Sequence, residues 1–241
     1  MSSKFKERVT AIIPAAGEGR RVGGELQKQF RSLLGRPILV HTLGKFQRCD
    51  AVDQIILVVS DSMIQYSMQL VKEYHLSKVV EIVRGGARRQ DSVYSGLQAL
   101  MVRPADIVLV HDAVRPLVSH DQIGALIEAC ITYKAAIPAV QPKETVKHSG
   151  ADGGFVTGTL DRSSLWLVQT PQAFAADLLI TAYRRAAADR YFATDDSSLV
   201  ERIGVNVKIV EGSYENMKIT TAEDLSIAEG ILRIQNGGVE Q

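Results

Sequence analysis

Pro14-Ala15-Ala16-Gly17-Glu18-Gly19 is followed at once by Arg20 and Arg21, and shortly afterwards by Lys28. Small residues let backbone N–H groups approach a bound group closely, and consecutive amides in such a turn can form an anion-binding nest. A guanidinium and an ammonium beside that nest suit a polyphosphate. The glycine spacing is neither the six-residue dinucleotide fingerprint nor the Walker pattern ending in Gly-Lys-Ser/Thr, so neither of those mechanisms transfers. A sharp strand-to-helix turn with solvated arginines is the alternative. Two further stretches combine glycine or charge in the same way: Gly85-Gly86 leading to Arg88-Arg89-Gln90-Asp91-Ser92, and His111-Asp112 leading to Arg115. His111 lacks a partner that would suggest acid–base work and reads as structural. Asp195 and Asp196 resemble metal ligands, but a helix N-terminus accounts for them. Trp166 reads as core.

These clusters need elements to hold them. Apolar, β-branched runs at 9–13, 54–60, 79–83, 106–110, 135–140 and 205–210 have the length and composition of buried strands. Between them, Ile38, Leu39, Leu43 and Phe46 after Pro37, residues 62–75, and Val93, Leu97 and Leu100 fall at helical spacing. Ser119 is placed to cap a helix through Tyr133, a further helix covers 175–189, and Thr221 with Asp224 resembles a capping box. Strands alternating with helices imply an α/β fold with a doubly wound, mostly parallel sheet and right-handed crossovers. In such sheets ligands bind beyond the carboxyl ends of the strands. All three polar stretches follow such ends, so they can converge on one crevice although they lie far apart in the chain.

The pattern changes at 141–160, where two short polar strands flank Ser149-Gly150-Ala151-Asp152-Gly153-Gly154. So little apolar content cannot hold a hairpin alone. It is expected to project as a β-arm onto a second copy of the chain, with an ordinary surface hairpin as the alternative. No linker or repeat divides residues 1–241, which are expected to form one domain. The 28 basic and 27 acidic side chains leave a formal charge of +1, so the composition does not suggest a nucleic-acid binder and any anion site must be local. Cys49 and Cys130 read as two buried thiols of a reducing compartment. The polar start, MSSKFKERV, and the lack of any long apolar run point to a cytoplasmic protein without membrane contact.

Taken in order, the 14–19 turn, Gly85-Gly86 with residues 89–93, residues 111–116, Leu160-Asp161-Arg162, residues 169–172 and residues 216–220 closely resemble the 2-C-methyl-D-erythritol 4-phosphate cytidylyltransferases of the non-mevalonate isoprenoid pathway. The likeness runs from about Val9 to Leu225. It implies a Rossmann-like nucleotidyltransferase sheet and a homodimer formed through the arm. It also implies a reaction of CTP with a polyol phosphate that requires Mg²⁺ or another divalent cation. Residue by residue, it implies that Arg21 and Lys28 stabilise the transition state. Ala15, Ala16, Gly17 and Gly19 would hold the nucleotide through backbone groups, with Gly86, Arg89 and Ser92 around base and ribose. Arg162 and Lys218 would grip the acceptor phosphate, while Arg115, Thr145 and Thr170 match further acceptor-side positions. Asp112 would bind an acceptor hydroxyl or contact the metal; a local salt bridge with Arg115 is its plainer role. Val22, Gln27 and Val114 depart from the pattern without removing a needed charge. A cytidylyltransferase acting on ribitol 5-phosphate is the nearest alternative, and a non-catalytic nucleotide-binding regulator is one from another class.

Overall fold

The computed structural model describes residues 7–17, 27–100, 106–151 and 153–237. The chain runs β1 (Val9–Ala15), the small hairpin β2 (Ser32–Leu33) and β3 (Arg36–Pro37), α1 (Ile38–Gln47), β4 (Gln54–Val59), α2 (Ile64–Glu73), β5 (Val79–Arg84) and α3 (Arg89–Gln98). It continues through β6 (Ile107–Val110), α4 (His120–Tyr133), β7 (Ala135–Val140), the arm strands β8 (Lys147–Ser149) and β9 (Val156–Thr159), then β10 (Leu167–Val168) and β11 (Gln172–Ala175). It closes with α5 (Ala176–Ala188), α6 (Asp196–Arg202), β12 (Lys208–Glu211) and α7 (Ala222–Gly237).

The main sheet has the order β10-β7-β11-β6-β1-β4-β5, with β12 also paired to β7. The β6-β1-β4-β5 half is wholly parallel, as the apolar runs predict. The other half is mixed, because β11 enters antiparallel to both β6 and β7. Alternate residues of each strand face opposite layers. Ala11, Ile13, Ile55, Leu57 and Leu109 pack with α1 and α4, whereas Ile12, Ile56, Val58, Val108 and Val110 pack with α3, α5 and α6. Truncating a large one, such as Leu57→Ala, would cost about 2–5 kcal/mol through lost burial and a residual cavity. A smaller cluster around Leu33, Ile38, Leu117, Ile219 and Leu232 seats α7.

Polar side chains set the helix starts. The Ser119 hydroxyl accepts from Gln122 N–H at 3.1 Å, and Asp195 accepts from Ser198 N–H at 3.2 Å. At α7, Asp224 accepts from Thr221 N–H at 2.8 Å while its own N–H donates to the Thr221 hydroxyl at 3.2 Å. β8 extends to Ser149, which the composition assigns to the opening of the turn, and β12 starts at Lys208 rather than Val205. Trp166 is not core: it is 39% exposed beside β10, which among the described residues pairs with β7 alone, at the end of the sheet. Both cysteines are buried, and burial pushes the Cys130 thiol up to about 12. Among the described residues, no helix is long and apolar enough to cross a membrane.

Candidate active site

The three polar stretches meet at one rim because their strands are parallel neighbours. Ile12 pairs with Val110, and the His111 N–H continues the ladder to Ile12 O at 3.0 Å. On the other side, Gly85 N–H donates to Val59 O at 2.8 Å. A Cβ on Gly85 would lie 2.4 Å from the Ala16 Cβ and 2.8 Å from Ser92 Oγ, so only glycine lets the turn, the end of β5 and the head of α3 touch. The same Ser92 Oγ accepts from Gly86 N–H at 3.2 Å. Gln29, 4% exposed, holds the turn from beneath: its Nε2 donates to Ala15 O at 2.5 Å and Gly17 O at 3.1 Å. Lys28 opens a 3-10 turn in which Gln29 and Phe30 are buried, which leaves Lys28 half-buried next to the residue holding the turn. Gly19 and Arg21 lie outside the described residues.

Asp112, just beyond β6, is the electrostatic centre of a cluster of cations at this rim. Its Oδ1 accepts from Arg89 Nε at 3.2 Å; its Oδ2 meets Arg115 Nε at 3.4 Å and Lys218 Nζ at 2.9 Å. Burial alone would raise this carboxyl, but Arg89, Lys218 and Arg115 overcome it and hold Asp112 ionised well below the usual range. Arg115 also donates to Asn216 O at 2.7 Å, and the Asn216 amide donates to Thr170 O at 2.8 Å, which ties the 216–218 stretch to the rim. Asp112, Arg89, Arg115, Lys218 and Thr170 line an open cavity of about 380 Å³ together with Gln169 and Gln172. The Asp112–Arg115 salt bridge, the plainer alternative for Asp112, is present as one contact of a larger cluster.

Arg89 sends its guanidinium into this cluster rather than toward its neighbours Gly86 and Ser92. It joins Asp112 to Asp196, whose Oδ2 accepts from Nη2 at 2.7 Å. Burial would lower the guanidinium, yet Asp196 and Asp112 outweigh it and secure the charge. Asp195 does cap α6, whereas Asp196 has no exposed surface and serves Arg89. Both aspartates suit the same helix start, so no local signal in the chain separates them.

His111 is structural, as its isolation suggests. Its Nε2 lies 3.0 Å from Arg115 O and its Nδ1 3.1 Å from the Thr170 hydroxyl. A carbonyl only accepts, so Nε2 carries the proton and Nδ1 accepts from Thr170. Thr170 Oγ1 in turn accepts from Asp112 N–H at 3.0 Å. Burial pushes the imidazole down to about 4 and keeps it neutral.

Arg162 and Thr145 stand apart from this cluster within one chain. Arg162 opens a short turn after the arm, donates to Lys143 O and lines a separate depression with Gln141 and Tyr214. Thr145 is exposed at the base of the arm, just before the Leu160 N–H to Val146 O hydrogen bond that closes it. Gln29 and Asn216 are buried polar residues whose contacts no periodicity announces.

An α/β sheet with a small-residue turn and a cation-ringed carboxylate at one rim has the ligand crevice of doubly wound sheets at the carboxyl ends of its strands, an architecture shared by nucleotide-handling enzymes. The family model for IspD, 2-C-methyl-D-erythritol 4-phosphate cytidylyltransferase, matches residues 9–234. A protein of that name from Pelotomaculum thermopropionicum is 47% identical over 232 residues, covering 96% of this chain and 97% of the relative. Another from Geobacillus thermodenitrificans is 49% identical over 222 residues, covering 92% and 96%. The crystal structure of 4-diphosphocytidyl-2C-methyl-D-erythritol synthase from Anaerococcus prevotii superposes with a TM-score of 0.81 at 33% identity, covering 94% of this chain and 96% of that one. The chain belongs to the 2-C-methyl-D-erythritol 4-phosphate cytidylyltransferase family.

Proposed function

We propose that this chain transfers the cytidylyl group of CTP to the phosphate of 2-C-methyl-D-erythritol 4-phosphate, a step in isoprenoid precursor synthesis. An acceptor phosphate oxygen attacks the α-phosphorus in line. A new P–O bond forms as the α–β phosphoanhydride bond breaks, and pyrophosphate leaves with the electron pair. Such transfer needs alignment and preorganised positive charge more than a protein nucleophile. The observation that carries the proposal is the carboxylate of Asp112, ringed by Arg89, Arg115 and Lys218 on the strand next to the Ala15–Gly17 turn.

In this scheme the 15–17 turn with Gly19 holds the triphosphate, and Gly86 and Ser92 border the base and ribose. Arg21 and Lys28 stabilise charge on the equatorial oxygens and the departing pyrophosphate. Lys218 is 43% exposed on its Asp112 partner, so it can turn to the incoming acceptor phosphate while Asp112 takes an acceptor hydroxyl. Arg115 and Thr170 frame that side. Thr145, on the arm, and Arg162, in the turn just after it, act from a second copy, which reconciles their acceptor role with their lying outside the depression that holds Lys218 in one chain. Phe155 at 82% and Val156 at 63% exposed supply apolar surface on the arm for such a homodimer.

Mg²⁺ or another divalent cation is the ion this chemistry calls for. Among the described residues no three His, Cys, Asp or Glu side chains converge, and Asp112 is already occupied by cations, so these residues do not fit a resident ion. The ion is expected to arrive on the triphosphate, since Mg²⁺ keeps few protein ligands. Reaction in the cytoplasm is the corresponding expectation. Ribitol 5-phosphate and non-catalytic binding are not favoured, because the relatives are cytidylyltransferases named for methylerythritol phosphate. Pyrophosphate release measured with a panel of nucleotides and polyol phosphates tests the proposal. Preference for CTP with methylerythritol phosphate is expected; preference for ribitol 5-phosphate, or no turnover, would overturn it.

A further inference from the structure

Arg89 is gripped at both ends. Its Nε serves Asp112 Oδ1 at 3.2 Å, and its Nη2 serves Asp196 Oδ2 at 2.7 Å. Asp196 is completely buried, and its remaining oxygen, Oδ1, accepts from the Tyr183 hydroxyl at 2.5 Å. Its backbone N–H is fixed by Gln172 Oε1 at 3.2 Å. Tyr183, 2% exposed, lies parallel to Tyr94 with ring centroids 5.8 Å apart. Both oxygens of Asp196 are thus committed, and the hydroxyl that holds one of them is immobilised in the core.

Neither Asp196 nor Tyr183 lines the cavity; the Asp196 carboxylate reaches it through Arg89, while its backbone N–H meets the cavity-lining Gln172. The contacts on Asp112 are divided. Arg115 and Lys218 approach Oδ2, whereas Arg89 approaches Oδ1. A carboxylate held at one oxygen only can swing about its bond to Cβ, whereas holding both oxygens defines its plane. A buried ion pair is also a poor device for stability alone, since desolvation cancels much of its attraction.

We infer that Asp196, braced by Tyr183, is a positioning residue for the acceptor side of the site: by anchoring Arg89 it sets the plane in which Asp112 meets a polyol-phosphate acceptor. The inference rests on the acceptor role proposed above for Asp112. It also moves Arg89 from contact with the nucleotide to orientation of the acceptor carboxylate.

The test is steady-state kinetics of the full chain with CTP and 2-C-methyl-D-erythritol 4-phosphate. Asp196→Asn keeps the shape and removes the charge; kcat/KM for the acceptor should fall by on the order of tenfold to a hundredfold. Most of that fall should lie in acceptor KM, with CTP KM within about twofold. Tyr183→Phe should move the same quantity in the same direction by less, and it decides the matter if Asp196→Asn does not fold. In an Arg89→Met background, adding Asp196→Asn should cause no further loss. A fall in melting temperature with both KM values unchanged, an equal rise in both, an effect confined to CTP, or an undiminished effect in the Arg89→Met background would each overturn the inference. Asp112→Asn is the control. If it leaves acceptor KM unchanged, the proposed role of Asp112 fails; if it raises acceptor KM while Asp196→Asn does not, only the positioning role fails.

Discussion

Neutral His111 makes the stability of this fold depend on pH in a window that carboxylates scarcely enter. The folded imidazole is pushed down to about 4 from 6.5, chiefly by burial. Its folded value lies below its unfolded one, so as the pH falls the unfolded chain binds the proton first. The stability that neutral His111 contributes is therefore complete above about 6.5 and is lost as the pH falls toward 4. Linkage with these two values gives a loss of about 2 kcal/mol between pH 7.5 and 5, and about 3 kcal/mol in all. Urea denaturation at pH 7.5, 6.5, 5.5 and 5 reads this directly. His41 is also held below its ordinary value by burial and adds to the slope, so the comparison is with His111→Gln, in which His41 remains. The variant should be less stable at pH 7.5, since it disturbs the links to Arg115 O and Thr170. Its stability should then fall by about 2 kcal/mol less than the wild type across the window. Parallel stability curves for the two proteins would refute the neutral, buried state assigned to His111.

Other perturbations test other parts of the site. Arg21→Ala should lower turnover at least roughly a hundredfold, the scale of losing one charge-stabilising donor, while part of the CTP binding survives; unchanged turnover would remove Arg21 from the transition state. Lys218→Ala should raise acceptor KM by on the order of tenfold to a hundredfold, the worth of a hydrogen bond to a charged group, and an effect seen only with CTP would put Lys218 on the wrong substrate. Gly85→Ala forces a methyl to within 2.4 Å of Ala16 Cβ. It should cost about 1–3 kcal/mol of stability through overpacking and raise CTP KM more than acceptor KM, read by denaturation and initial rates. Equal effects on both substrates would show that the turn does not act on the nucleotide side alone.

Local chemistry in the chain was enough to indicate most of the fold. The apolar runs that became β1, β4, β6 and β7 point to buried strands and form them, whereas the run at 79–83 became β5 at the edge of the sheet, where no residue is buried. Ser119, Asp195 and Thr221 announce helix starts because a cap acts over a few residues. Parallel strands end together, so strand order alone gathered the 15–17 turn, Gly85-Gly86 and Asp112 to one rim. Distant contacts decided the rest. The β11 segment, Gln-Ala-Phe-Ala, carries no β-branched residue and is a strand because β6 and β7 leave a slot for it. Trp166 is 39% exposed beside β10, the last strand in the sheet order, a consequence of where the strand lies and not of the ring. Arg89 lies a few residues from Gly86 and Ser92 yet belongs to Asp112 and Asp196, the latter 107 residues away. Arg162 and Lys218 look alike as cations but occupy separate depressions of one chain. Backbone preference and periodicity reach only a few residues, whereas a buried charge binds whichever opposite charge the packed core sets beside it.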